Sequence, residues 1–150
     1  MSKKKINICV IGLGYVGLPL SIEFSKHFNT LGYDHNLERI KSLKNNLDYT
    51  NEVSKQVLKS SNIIFTNKIE ELKSSNIYII CVPTPVNKKK LPDLSNMINA
   101  TKQIGNFLNN NDLVIYESTV YPGVTDEVCI PILERYSNLK CCKNNNNIKN

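Results

Sequence analysis

The residues able to do chemistry here are three glycines, one carboxylate and two sets of hydroxyls. Gly12, Gly14 and Gly17 stand in the spacing G-x-G-x-x-G, and Asp34 follows 17 residues after the last of them. Gly12 allows a tight turn off a strand. Gly14 has no side chain, so backbone N–H groups there can approach a pyrophosphate. Gly17 lets the following helix lie close to the sheet. A helix starting near Tyr15 points its free N–H groups and its dipole at the phosphates. Asp34 is placed to accept hydrogen bonds from ribose hydroxyls and to repel a 2′-phosphate, which favours NAD over NADP. Arg39, five residues on, is read as lying against the adenine side of that site.

The hydroxyls come in two later groups. Val82-Pro83-Thr84-Pro85 is a stiff segment, because the prolines fix their own backbone and push their predecessors to extended geometry. It offers the Thr84 hydroxyl at a defined place. Glu117-Ser118-Thr119-Val120-Tyr121-Pro122-Gly123 offers hydroxyls and an acid after another apolar run. In open α/β sheets ligands bind beyond the carboxyl ends of the strands, where both segments fall.

The elements that must position these groups follow from periodicity. Ile6 to Ile11 is a short apolar run and a first strand; a second strand ends at Asp34. Pro19 falls in the first turn of the intervening helix, where an N–H has no intrahelical partner to lose. A short helix is predicted over Asn36 to Asn45, with Leu37, Ile40, Leu43 and Leu47 on its apolar side. The stretch from Asp48 to Asn62 holds another, with Val53, Val57 and Leu58 on one face. Ile63 to Phe65 reads as a third strand, Lys68 to Lys73 as a helical turn, and Ile77 to Val82 as a strand buried on both faces. Asp93 is the expected cap of a helix whose stripe is Leu94, Met97, Ile98, Thr101, Ile104 and Leu108. Leu113 to Tyr116 is a fifth strand. A last helix covers Val124 to Tyr136, bent by Pro131. From Ser137 the pattern fails in an Asn- and Lys-rich stretch. The fold class is α/β: a Rossmann-type, doubly wound parallel sheet with helices on both faces. Residues 1–137 form the dinucleotide-binding domain and 138–150 a polar tail.

Composition narrows the alternatives. A chain of 150 residues with 41% hydrophobic content supports one domain with a core. No apolar run approaches the roughly 20 residues that cross a bilayer, and the N-terminal run is a first strand rather than a signal peptide; the expected location is the cytoplasm, with no membrane partner. The net charge of +6 comes largely from lysine, as in Lys3 to Lys5 and Lys88 to Lys90. These runs lack interleaved aromatics and read as solvated surface, so no nucleic-acid partner is expected. Cys9, Cys81 and Cys129 sit in predicted elements and read as small apolar residues. Cys141-Cys142 lies in the polar tail. No cysteine or histidine spacing supports a metal site.

Four motifs in order resemble the UDP-glucose/GDP-mannose dehydrogenase family: G-L-G-Y-V-G-L-P-L at 12–20, D-x-N-x-x-R-I at 34–40, V-P-T-P at 82–85 and E-S-T-V-Y-P-G at 117–123. T-N-E-V at 50–53 and P-D at 92–93 point toward the UDP-N-acetylglucosamine and UDP-N-acetylgalactosamine 6-dehydrogenases, which make uronic acids for bacterial surface polysaccharides. The resemblance runs from about residue 6 to residue 140. It implies oxidation of a sugar C6 alcohol to a carboxylate with two NAD⁺, through a cysteine-bound thiohemiacetal and thioester. By position, Tyr15, Val16, Asp34, Arg39, Thr84 and Thr119 would line the NAD site. The glycines, Val82, Pro83 and Ser118 complete the expected set. Thr119 would also lie near the reacting centre and position water or the sugar oxygen. Glu117 is read as structural rather than as a general base.

The resemblance also implies parts that are not found in this sequence. The family continues into a further strand and loop with a glutamate, a central helix, and a nucleotide-sugar domain that holds the catalytic cysteine. No cysteine of this chain matches that one. The expectation is a truncated or split gene product, or a separately cut domain, that binds NAD without turnover. A UDP-sugar would then bind only with the missing domain, and the protein partner expected is a separate C-terminal chain or further copies in a homo-oligomer. Two other readings stay open: a stand-alone nucleotide-sensing Rossmann module, such as those regulating potassium transport, and a non-functional remnant.

Overall fold

Five short apolar runs form the strands: β1 (Asn7–Ile11), β2 (Asn29–Tyr33), β3 (Ile64–Thr66), β4 (Ile77–Ile80) and β5 (Leu113–Tyr116). The computed structural model describes residues 5–86 and 92–141. Lys3, Lys4, the Lys88 to Lys90 run and the tail from 142 onward lie outside the described residues. Every strand pair is parallel, in the order β3-β2-β1-β4-β5. The chain winds outward from β1 on one side, then returns to β4 on the other, so the order reverses between β1 and β4. That reversal opens a crevice at the carboxyl edge.

Helices cover both faces, as the fold class requires. Ile8, Val10 and Ile79 pack under Leu20 and Phe24 of α1 (Gly17–Ser25). On the same side, Leu18 and Ile22 meet Ile40 and Leu43 of α2 (Leu37–Lys44) and Leu58 of α3 (Lys55–Ser60). Cys9, Ile11, Tyr78 and Ile80 point the other way, onto Ala100 and Ile104 of α4 (Ser95–Gly105) and Leu72 of a 3₁₀ turn over Ile69–Ser74. Leu133 of α5 (Ile130–Ser137) packs against this second cluster. The strict alternation along β1 and β4 is the period-2 pleat of strands buried on both sides.

Some local expectations need correcting. Leu37, Leu47 and Val57 are exposed. Leu47 lies past Asn46, whose φ of 59° turns the chain and ends helical spacing. In the six-residue α3, Leu58 takes the buried face, and its neighbour Val57 lies about 100° round the axis. Asp93 is not the N-cap of α4: Leu94 holds that position. The Asp93 carboxylate accepts the Ser95 N–H at 2.9 Å from one residue further out. The last predicted helix is two pieces. A π-helical turn over Thr125–Cys129 precedes α5, and the Ile130 N–H reaches five residues back to Thr125. Pro131 has no N–H and its ring would meet the carbonyl four residues back, and the backbone widens by one residue in the turn before it.

Candidate cofactor cleft

Register carries the site-forming residues to one edge. Ile11 lies between Tyr33 and Ile80, and Ile80 faces Tyr116. The ladder runs one step further. Gly12 N–H bonds the Tyr33 carbonyl (2.9 Å), Cys81 N–H that of Ile11 (2.8 Å) and Glu117 N–H that of Ile80 (2.9 Å). Gly12, Asp34, Cys81 and Glu117 therefore stand in a row where the strands end. The loops that follow them wall a cleft of ≈ 490 Å³.

Gly12, Gly14, Tyr15, Val16, Asp34, Val82, Pro83, Thr84, Ser118 and Thr119 all line this cleft. A second hollow of ≈ 250 Å³ adjoins it through Gly12, Asp34, Val82 and Pro83 and extends over α4 to Asn96, Ala100 and Gln103. Gly17 and Arg39 are the expected site residues that line neither. Gly17 serves the turn itself: a Cβ there would lie 1.8 Å from the Gly12 carbonyl oxygen and 3.1 Å from the Cys81 Cβ. Gly12 has φ +93°, a region that favours glycine. Gly14 is different, because a Cβ there would meet nothing within 4 Å. The protein leaves that space free.

The expectation that Arg39 lies against the adenine side is not met. Arg39 is 1% exposed. Its Nε donates to the Leu13 carbonyl at 2.8 Å, and its second nitrogen to Asp48 Oδ1 at 2.7 Å. A third contact runs to Thr50 Oγ1 at 3.5 Å, and the Tyr49 ring covers the guanidinium with its centroid 4.2 Å away. With three donor contacts and one face engaged, Arg39 braces the glycine turn from behind. Asp48 accepts further bonds from the N–H groups of Thr50, Glu52 and Val53 and from the Thr50 hydroxyl. Burial alone would raise its pKa. The bonds from Thr50, Arg39 and Val53 outweigh burial and hold it down at about 2.

Asp34 does stand at the cleft, but its oxygens already have partners. Oδ2 accepts the Leu13 N–H and Oδ1 the Asn36 N–H, both at 2.9 Å. Each carboxylate oxygen has a second lone pair, so ribose hydroxyls can still be accepted. The predicted hydroxyls are also engaged. Thr84 Oγ1 donates to the Thr119 carbonyl and Ser118 Oγ to the Val82 carbonyl, both at 2.6 Å. Asn96 donates to the Pro83 carbonyl at 3.0 Å. These bonds tie the loops after β4 and β5 together and leave the Thr84 and Ser118 oxygens as acceptors.

Sequence reasoning missed Leu13, Tyr49 and Thr50. Leu13 is an unspecified position of the glycine motif, yet its side chain is fully buried and both its backbone groups are held by side chains. Tyr49 and Thr50 line the cleft beside Asp48, which bonds both Arg39 of α2 and Thr50. Cys81, expected within a strand, sits just past β4 and lines the cleft. Burial and the nearby Glu117 push its thiol up to about 12. Among the described residues, no group of three or more His, Cys, Asp or Glu could hold a metal ion.

The family profile of the UDP-glucose/GDP-mannose dehydrogenase family, NAD binding domain, matches residues 6–149. The chain belongs to this family. The match takes in most of the stretch that the sequence pattern set apart as a tail. Protein CapL of Staphylococcus aureus is 49% identical over 91% of this chain and 32% of its own length. The UDP-N-acetyl-D-glucosamine 6-dehydrogenase of Salmonella typhi is 48% identical over 90% of this chain and 32% of its own. Among solved structures, the UDP-D-ManNAc dehydrogenase of Pyrococcus horikoshii superposes with a TM-score of 0.83 at 35% identity, covering 91% of this chain and 34% of that one. The chain thus spans about a third of the length of the curated relatives it matches.

NAD, the cofactor of this family domain, fits what the cleft offers. The space at Gly14 admits a pyrophosphate against bare backbone. The start of α1 supplies N–H groups beside it. Asp34 keeps acceptor capacity for ribose hydroxyls, and no cation faces the place of a 2′-phosphate from Arg39.

Proposed function

We propose that this chain is the NAD-binding portion of a nucleotide-sugar dehydrogenase that oxidises the C6 alcohol of a UDP-N-acetylhexosamine to the uronate. The observation that carries this reading is the glycine turn with Asp34 bonded across it and with open space at Gly14. The names of the relatives supply the sugar class. When bound, NAD supplies the oxidising equivalent for the alcohol.

The chain's own residues bind and orient. Gly12, Gly14 and the turn at Tyr15 and Val16 receive the pyrophosphate. Asp34 fixes the adenosine ribose. The hollow over α4 takes the adenine between Val82 and Pro83 and Ala100. Thr84 and Ser118 present oxygen acceptors, which suits an amide N–H such as that of a nicotinamide carboxamide. Thr119 is exposed at the rim, with its carbonyl accepting from Thr84; its hydroxyl would orient water or the sugar oxygen.

The catalytic nucleophile and the sugar site lie in the parts that the longer relatives have beyond this region. We assign the assembled enzyme to the cytoplasm and to surface polysaccharide synthesis. No helix among the described residues is long and apolar enough to cross a membrane. Calorimetric titration of the purified chain tests the reading. Saturable binding of NAD⁺, weaker binding of NADP⁺, and no NADH formation from UDP-N-acetylglucosamine are expected. Turnover at an enzymatic rate by this chain alone would overturn the assignment of the chemistry elsewhere.

A further inference from the structure

We infer that Arg39 is a positioning residue, which pins the Leu13 carbonyl behind the glycine turn and thereby aims the Gly14 N–H at the pyrophosphate. This rests on the cofactor reading above and adds to it the device that presents the phosphate donor.

A trans peptide points its C=O and the next N–H in opposite directions. Arg39 Nε holds the Leu13 carbonyl at 2.8 Å on the buried side. The Gly14 N–H therefore faces the cleft that Gly14 lines, and it has no protein acceptor among the described residues. The preceding peptide is fixed too, because the Leu13 N–H donates to Asp34 Oδ2 at 2.9 Å. The Leu13 side chain is fully buried against the α1 and α2 cluster. Leu13 is thus held at three points.

Arg39 is itself held in place. Asp48 binds it at 2.7 Å, with both side chains 1% exposed, and the Tyr49 ring covers one face. A buried ion pair adds little stability over apolar packing of the same volume, so its contribution here is geometric. Lysine could not replace the fork, because it is a point charge on a flexible stem that cannot hold Asp48 and the Leu13 carbonyl in one plane.

The test uses the 150-residue chain and three probes: NAD⁺, ADP-ribose and adenosine. In R39K, affinity for NAD⁺ and ADP-ribose should fall about tenfold or more, the loss of one charge-assisted bond. Adenosine affinity should not change. In ¹H–¹⁵N spectra of the unmutated chain, the Gly14 amide should shift downfield with NAD⁺ and ADP-ribose but not with adenosine. A folded R39K that binds NAD⁺ like the parent would overturn the inference and leave the cofactor reading standing. So would a loss shared by adenosine, which would put Arg39 on the nucleoside. If R39K does not fold, the Gly14 amide of the parent decides: no shift with bound NAD⁺ sinks the inference. Failure of the folded parent to bind NAD⁺ overturns both.

Discussion

Thr84 donates its hydroxyl to the backbone carbonyl of Thr119 at 2.6 Å, across 35 residues of sequence. The bond joins the loop after β4 to the loop after β5, so the two segments read as separate ligand sets form one wall. Thr84→Val should cost about 1 kcal/mol of stability, the worth of one hydrogen bond, and should weaken NAD⁺ as well. Thr84→Ser should restore both. Paired denaturant melts and calorimetry would check this; a valine variant that binds NAD⁺ unchanged would remove Thr84 from the site.

The glycines separate binding from folding. A Cβ at Gly14 meets no protein atom, while one at Gly17 would overlap the Gly12 carbonyl. Gly14→Ala should keep the thermal midpoint and lose NAD⁺ affinity by about tenfold or more. Gly17→Ala should destabilise the chain by about 3 kcal/mol. Calorimetry and thermal melts of the two variants make the contrast. A destabilised Gly14→Ala with intact binding would contradict it.

Cofactor selection follows from two side chains that face opposite ways. Asp34 places negative charge at the cleft, and Arg39 is closed off behind the turn. NADP⁺ should bind at least about tenfold more weakly than NAD⁺. Asp34→Ser should lose NAD⁺ without gaining NADP⁺, since no arginine is free to take the 2′-phosphate. A variant that switched to NADP⁺ would show that Arg39 can leave Asp48.

Asp48 sets an acid limit on stability. Its pKa falls from 3.8 to about 2 on folding, so the unfolded chain binds the proton more readily. Its contribution is complete above pH 3.8 and is lost as pH falls through about 2. At neutral pH, Asp48→Asn should cost roughly 3–5 kcal/mol, because it leaves a buried arginine unpaired. About 2 kcal/mol of that gap should close on acidification. Urea denaturation of both proteins across that range measures it. A gap constant with pH would mean that the pair does not titrate as described.

The thiols should divide sharply. Burial pushes the Cys9, Cys81 and Cys129 thiols up, while Cys141 is exposed. Of these, Cys141 alone should react quickly with iodoacetamide at neutral pH, as read by peptide mass spectrometry. Rapid labelling of Cys81 would reveal a nucleophile in the cleft that its surroundings do not suggest.

The sequence by itself determined the element order, the parallel sheet and the glycine turn with its acid. These rest on local signals: apolar runs of strand length, fixed glycine spacing, and a carboxylate at a strand end. Gly12 and Asp34 could be named because each follows a strand directly, and strand register carries such residues to one edge; Thr84 and Thr119 stand four and three residues past β4 and β5, in motifs legible as sequence. The tertiary structure decided the direction of Arg39. From spacing, an arginine five residues past Asp34 could face the cofactor or the core. Asp48, nine residues further on, captures it from a loop without periodicity. Leu13 was silent for the same reason, since a position in the glycine motif does not show where its carbonyl points. The bonds that settled both, Arg39 to Leu13 and Arg39 to Asp48, span 26 and 9 residues. Long-range pairing of buried polar groups depends on how the chain folds back, and local pattern carries no record of it.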